Sequence, residues 1–259
     1  MKKTTIRKVF GKEHNILIGM IHLPPLLSIR GFSGMEEMLK KASSDLLSLE
    51  RAGFDGALIE NDNDKPHSEF ANEAQIASFS IIAHEVCKKA NIPIGVQVML
   101  NDWRASFAIA KAVGAKFTRL DVFVDRVYCE WGEIHPEPRK IMEYKNKIYP
   151  ELLLLTDLQV KYKTMIKPRP LVVSAKLAIH HHSDALIITG VSTGVETPIG
   201  KIKEVKETFP SFPVFVGAGV SYRNVKEQLA FANGAIVGTS IKSEKGIDTH
   251  KARRLKDSL

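Results

Sequence analysis

The side chains capable of chemistry in this 259-residue sequence fall at the ends of short apolar runs. Met20-Ile21 runs into His22, Leu58-Ile59 runs into Glu60 and Asn61, and a third run carries Gln97 and leads to Asn101 and Asp102. A fourth carries Arg119 and Asp121, a fifth ends at Asp157 with Lys161 just beyond, and a sixth ends at Thr189 with Thr193 beyond it. A carboxylate that closes an apolar strand is costly to bury unless it is paired or functional, which singles out Glu60. Glu60 and Asp157 are two carboxylates in different surroundings, the pair that general base and general acid work calls for. Lys161 is suited to polarising a carbonyl, holding an anion or forming a Schiff base. Period-two alternation puts Asp157, Gln159 and Lys161 on one side if the fifth strand runs that far.

Two glycine-rich turns point to different chemistry. Val214-Phe215-Val216 runs into Gly217 and Gly219, and 235–237 runs into Gly238, Thr239 and Ser240. Glycines let backbone N–H groups approach an anion, and a following helix start adds its positive end, so both turns are candidate phosphate-binding loops. Each of these residues also has a purely structural use. The glycines make tight turns, Asp102 precedes a helix and can cap it, Arg119 and Asp121 can pair with each other, and His22 can brace the turn before Pro24-Pro25. Lys161 can be a surface lysine. The triplet His180-His181-His182 reads as a helix end, because consecutive helical residues do not face one metal ion. The residue types imply no cofactor, and a divalent metal stays open.

These residues need elements to position them. Short apolar runs at 16–21, 56–59, 93–99, 116–122, 152–158, 184–189, 212–216 and 235–238 are bounded by Gly, Pro, Asn or Asp, as buried strands are. Between them lie helical patterns at 69–90, 103–113, 137–147, 171–181, 199–208, 222–232 and 248–257, preceded by a first in which Met35, Met38, Leu39, Ala42, Leu46 and Leu49 share one face. Eight strand–helix units predict an α/β fold, a single (β/α)8 TIM barrel spanning 1–259 as one domain. A doubly wound open sheet is the alternative, but it would more often carry a Gly-rich dinucleotide turn after its first strand, and none is present. In a barrel all the strand-end residues above gather at one mouth. The connections 22–34 and 123–138 are longer than the rest and follow strands, as lids and binding loops do.

Composition sets the outer limits. Hydrophobic residues make up 44% and charged residues 25% of the chain, an ordinary globular balance. The net charge of +8 is spread over many segments, as in Lys88-Lys89 and Arg253-Arg254, and reads as solvated helix faces rather than as the footprint of nucleic acid as main partner. No apolar run approaches the roughly 20 residues of a transmembrane segment, and the basic start Met1-Lys2-Lys3 is not followed by the apolar core of a secretory signal. Cys87 and Cys129 form neither a disulfide framework nor a zinc motif. A cytoplasmic protein acting on a small phosphorylated metabolite is expected, with a homo-oligomer left open.

Several of these segments together resemble the BtpA/SgcQ family. They are Ile18-Gly19-Met20-Ile21-His22-Leu23-Pro24-Pro25-Leu26, Ile59-Glu60-Asn61 with Asp64 and Pro66, and Asn101-Asp102 with Arg104-Ala105. Asp157 with Val160-Lys161, Thr189-Gly190 with Thr193-Gly194, and Gly217, Gly219-Val220 and Gly238-Thr239 complete the series, in order along nearly the whole chain. The resemblance implies a fold similar to phosphate-binding TIM barrels. It gives two different precedents for function, one member being named for photosystem I biogenesis and another lying among sugar-utilisation proteins. The chain departs from the family pattern at Leu27-Ser28-Ile29-Arg30, where Pro-Gly-Ser-Pro is usual, at Gln97 in place of Asn, and at His67 in place of another aromatic. The leading expectation is an enzyme that acts by acid/base chemistry, an isomerase, lyase or glycosidic hydrolase for a phosphorylated sugar or nucleotide-like metabolite. A non-catalytic assembly factor is the alternative.

Overall fold

The computed structural model describes residues 5–259; the basic start read above, Met1-Lys2-Lys3, lies outside them. Eight parallel strands close into a barrel: β1 (Ile16–His22), β2 (Gly56–Glu60), β3 (Ile94–Gln97), β4 (Phe117–Leu120), β5 (Leu153–Leu158), β6 (Ala185–Ile188), β7 (Val214–Val216) and β8 (Gly234–Val237). Around the ring the order is β1-β8-β7-β6-β5-β4-β3-β2. Each strand is followed by a helix: α1 (Met35–Ala52), α2 (Glu73–Lys89), α3 (Trp103–Val113), α4 (Pro138–Ile148), α5 (Leu171–His180), α6 (Ile199–Thr208), α7 (Val225–Leu229) and α8 (Thr249–Lys256). The sequence-predicted barrel is therefore present, with every predicted strand and helix in its place.

The two-residue period of the strands explains both the core and the site. Ile16, Ile18, Met20, Leu58, Phe117, Leu153, Leu155, Ala185, Ile187, Phe215 and Ile236 fill the barrel interior. Their neighbours Leu17, Ile21, Ala57, Ile59, Leu154, Leu186 and Val216 face outward against the helices. Continuing the inward series toward the strand ends gives His22, Glu60, Gln97, Arg119, Asp157, Thr189, Gly217 and Gly238. The register keeps three of these level, with His22 opposite Glu60 and Glu60 opposite Gln97. Gly95 belongs to the same series, and a Cβ there would lie 2.3 Å from the Phe117 ring. The glycine makes room for that ring.

Four features were not read from the sequence. The helix Ile6–Phe10, capped by the Thr5 hydroxyl, sits under the barrel floor, where the Phe10 ring lies 5.3 Å from that of Phe117. Above the mouth, Val127–Cys129, Gly132–Ile134 and Thr164–Met165 form a three-stranded antiparallel sheet. It draws the long connection after β4 together with that after β5 over a small core of Val122, Val127, Cys129, Ile134 and Val160. After β8, a 3-10 turn (Thr239–Ile241) leads into a hairpin of Lys242–Ser243 with Gly246–Ile247, fastened to α1 by the Ile247 N–H donating to Asp45 at 2.8 Å. The seventh helix is shorter than the predicted 222–232, because Ser221 and Asn224 form a side-chain-capped turn ahead of it. Strand five stops at Leu158, since Gln159 adopts φ +47°. The expected alternation through Gln159 to Lys161 is thereby broken, and Gln159 turns to Asp125, Arg169 and Ser174 instead. No helix among the described residues is long and apolar enough to cross a membrane.

Candidate active site

The inward-facing strand ends open into a cavity of about 960 Å³ at the mouth of the barrel. His22, Glu60, Arg119, Asp121, Lys161 and Lys163 line it on the side of strands one to five. Thr193, Gly217, Gly219, Gly238, Thr239 and Ser240 line it on the side of strands six to eight. Two charged assemblies are built into the floor.

The first is centred on His22. Its Nε2 lies 3.2 Å from Glu60 Oε2, and its Nδ1 contacts the ammonium of Lys242 from the hairpin after β8. Burial opposes the Glu60 carboxylate, but the His22 hydrogen bond and the nearby Arg119 charge outweigh it and hold the carboxyl below its ordinary range. Lys242 goes the other way. Burial, reinforced by Lys41, lowers its ammonium to about 8. Lys242, His22 and Glu60 thus form one line of hydrogen-bonding groups from the hairpin to the mouth.

The second is centred on Arg119. Its Nε and Nη2 donate to the two oxygens of Asp157 at 2.8 and 2.7 Å, and all three of its neighbours Glu60, Asp121 and Asp157 are buried carboxylates. Asp121 lies 3.8 Å from Arg119 and accepts from Lys163 Nζ and Gln97 Nε2, each at 2.9 Å. Burial works against the Asp121 carboxylate, and Lys163 and Arg119 overcome it, taking the group far below the usual carboxylate range. Asp157 is 1% exposed; burial pushes its carboxyl up, and the bidentate Arg119 opposes that push. The pairing expected between Arg119 and Asp121 is therefore secondary to that between Arg119 and Asp157.

The remaining sequence-nominated residues separate into two groups. Asn61, Gln97, Asn101, Asp102 and Thr189 are buried, and their hydrogen bonds hold loops in place. Asn61 accepts from Met99 N and donates to Asp64, Asn101 accepts from Val122 N, and Gln97 donates to Leu100 O as well as Asp121. Asp102 caps α3 through Ala105 N and also accepts from Ala71 N, and Thr189 accepts from Lys161 N at 3.3 Å. Lys161, Thr193 and the two glycine turns face the cavity. Within those turns the glycines differ. Gly219 has φ +69°, and a Cβ there would lie 2.2 Å from Val195 O, so it lets two loops touch. The Gly217 N–H is used by Ile188 O at 2.9 Å. A Cβ at Gly238 would have its nearest neighbours 3.6–3.7 Å away, on Met20 and His22, so a side chain there would enter the cavity.

Asp64 explains why the segments after β1 and β2 belong together. It is fully buried and accepts from Leu26 N at 2.8 Å, Asn61 Nδ2 at 2.7 Å and Gln75 Nε2 at 2.8 Å. Asp64→Ala strands three donors; we expect a loss of roughly 2–4 kcal/mol in urea denaturation, with the loops 23–34 and 61–72 gaining protease sensitivity.

Lys163, Lys242 and Arg223 have no signal in the sequence that marks them as site residues, and His67 stands out there only as a departure from the family pattern. Lys163 differs in kind from Lys161 only through its partner Asp121, and Lys242 only through its contact with His22, which no local pattern signals. Trp131 has at most a faint one, since 127–134 alternates around Gly132 as a hairpin does. His180, His181 and His182 lie at the end of α5 and just after it, and no cluster of potential metal ligands occurs among the described residues.

Comparison with known proteins gives the family and the fold. The BtpA family profile matches residues 13–258. An uncharacterized protein of Pyrococcus abyssi is 36% identical over 87% of this chain and 87% of its own length. The photosystem I biogenesis protein BtpA of Synechocystis is 27% identical, covering 92% and 84%, and the putative sgc region protein SgcQ of Escherichia coli is 29% identical, covering 92% and 90%. Among solved structures, N-(5'-phosphoribosyl)anthranilate isomerase from Pyrococcus furiosus superposes with a TM-score of 0.61 at 11% identity, over 95% of this chain and 98% of that one. GGGPS from Thermoplasma volcanium does so with a TM-score of 0.62 at 12% identity, over 98% and 97%. These two are TIM barrels.

Proposed function

The chain belongs to the BtpA family, and from that premise we propose that it is an enzyme that holds a phosphorylated small metabolite in the barrel mouth and transfers a proton on it. The observation that carries this reading is the convergence of the Lys242–His22–Glu60 line and the Arg119 assembly on one cavity. A binding scaffold has no use for a half-buried histidine gripped between a carboxylate and an ammonium.

In this reading His22 is the proton carrier. With Nδ1 accepting from Lys242, the ring carries its own proton on Nε2 and relays: Nε2 passes that proton to Glu60 as Nδ1 takes one from Lys242, and Glu60 exchanges the proton with the substrate. Asp157, the general acid of the sequence-based expectation, has both oxygens on Arg119 and becomes a positioning residue. Arg119, Lys161 and Lys163 supply fixed positive charge where negative charge develops on the substrate. The phosphate is held by the loops after β7 and β8. The opening N–H groups of the 3-10 turn Thr239–Ile241 have no partner within the turn, and Thr193 and Arg223 stand at the same rim. The names of two solved barrels of similar fold contain a phosphorylated compound, phosphoribosylanthranilate and thiamine phosphate, which supports a phosphorylated ligand here.

The test is a screen of sugar phosphates and nucleoside phosphates in D2O followed by proton NMR. Turnover or solvent exchange of a carbon-bound proton, absent in Glu60→Gln, is the expected result; inertness toward every phosphorylated compound bound would overturn the proposal. A separate prediction concerns the anion end. Gly238→Leu, whose side chain enters the cavity, is expected to weaken ribose 5-phosphate binding at least about tenfold in calorimetry, with folding stability kept within about 1 kcal/mol. Unchanged binding would move the phosphate elsewhere.

A second reading, an assembly factor, is favoured by one observation. Leu27, Phe70, Tyr162 and Val191 are exposed on loops at the mouth end and Tyr128 on the capping sheet, and such residues are used in docking another protein. Substituting Tyr128 and Val191 by Ser should leave phosphate binding intact under the enzyme reading.

A further inference from the structure

The two walls of the mouth are unlike each other. In the ring of strands β4 stands opposite β8. The loop after β8 offers Gly238, Thr239 and Ser240, whereas the loop after β4 carries the capping sheet with Trp131. Around Trp131 the cavity is lined by Pro66, His67, Leu100 and Cys129.

This second wall is held firmly. Trp131 packs on the small core of the cap. The His67 ring meets it edge-on, with centroids 5.8 Å apart and planes at 77°, and the Lys163 ammonium lies 5.7 Å from the indole centroid. His67 is fixed in turn by Glu130 at 2.8 Å and by the Asp62 carbonyl at 2.9 Å. The indole Nε1–H is buried and has no acceptor among the described residues.

A phosphate group accounts for only one of these walls. The cavity, at about 960 Å³, lies at the upper end of the roughly 300–1,000 Å³ typical of small-molecule sites. A pentose phosphate seated at the β7–β8 loops would leave the aromatic wall uncovered. An aromatic side chain in the cavity wall suits a flat ring that stacks on it.

We propose that the wall around Trp131 is a ring-binding subsite, so that the substrate is a phosphorylated glycoside of a heteroaromatic ring, of the nucleoside 5'-monophosphate class. Its phosphate lies at the loops after β7 and β8, its ring lies under the cap, and its sugar crosses the floor above His22, Glu60 and Arg119. The assignment rests on the reading of the mouth as a phosphate site and narrows it to one class of ligand.

Fluorescence titration tests it with AMP, UMP, ribose 5-phosphate and inorganic phosphate. The other tryptophan, Trp103, packs between Phe107 and Tyr144, so a Trp103→Phe background leaves Trp131 as the sole reporter. AMP or UMP should quench Trp131 and bind at least about tenfold more tightly than ribose 5-phosphate, the scale of one base–aromatic stack. Calorimetry on Trp131→Ala should show that preference gone with ribose 5-phosphate binding unchanged, and Trp131→Phe, which keeps a ring, should retain part of it. Equal binding of the nucleotides and ribose 5-phosphate overturns the ring subsite while leaving the phosphate reading standing. An undiminished preference in Trp131→Ala does the same, as does an unmoved Trp131 signal at saturating AMP should that variant fail to fold. Binding of none of the four overturns both.

Discussion

Asp157→Asn should lower folding stability by about 3–5 kcal/mol, the usual consequence of stripping a buried charge of its partner. Arg119 would be left buried, with Asp121 at 3.8 Å and Glu60 as its remaining counter-charges. The sequence alone predicts something different, that Asp157→Asn and Lys161→Met both abolish activity and leave the melting temperature nearly unchanged. The bidentate contact separates the two. Lys161 is half-buried at the cavity wall and keeps that expectation, whereas Asp157 holds up the floor. Urea denaturation of the two variants side by side is the measurement. Arg119→Met in the Asp157→Asn background should recover part of the loss by removing the stranded cation. A pair of variants with equal and near-native midpoints would show that the Arg119–Asp157 contact contributes no stability.

His22→Gln should reduce kcat on the substrate by about 10²- to 10⁴-fold, the usual scale of a lost general acid–base group, with binding of the phosphate end retained. Lys242 then shapes the pH profile. With its ammonium lowered to about 8, the donor to His22 Nδ1 is lost as pH rises past that value, and the rate should fall on an alkaline limb centred there. Lys242→Arg, which stays protonated, should shift that limb upward. The same group acts on stability with a definite sign. Between about 8 and its ordinary value near 10.5, the folded chain binds fewer protons here than the unfolded chain does, so this site's contribution rises with pH across that window. Below pH 8 the buried cation is a net cost on the order of 1–3 kcal/mol. Lys242→Met should therefore be more stable than the parent at pH 7 and lose that advantage by about pH 10.5, while its turnover drops. Equal stability of the two at both pH values would place the ammonium in water.

The barrel was legible because its signals are local. Apolar runs, their flanking glycines and prolines, and the helical stripes between them repeat eight times, and the period of two then brings Glu60, Arg119 and Asp157 to one end without any knowledge of contacts. Partners were not legible. Nothing near Asp157 in the sequence announces that both its oxygens face Arg119, and nothing near Lys242 points to His22, 220 positions away. Asp102 reads equally as a substrate ligand and as a helix cap, and Asn61 reads as a substrate ligand; in the folded chain they accept hydrogen bonds from Ala105 N and Met99 N. The capping sheet was missed for a related reason. Its three strands have two or three residues each and come from two separate loops, too short for periodicity to register.

The helix under the floor has a consequence for how the chain is made. Residues 6–10 leave the ribosome before every strand of the barrel, yet the surface they rest on does not exist until much later. Phe10 needs Gly56 and then Phe117, and the ring that frames both closes only when Gly234–Val237 pairs with Ile16–His22. Through most of synthesis the apolar side of this segment, Ile6 and Phe10, and an unsealed strand edge must wait together, the situation in which growing chains are prone to associate. Once the last strand is in place, a single late event both completes the hydrogen-bonded ring and corks it from below, leaving the upper opening as the route by which water and small molecules come and go.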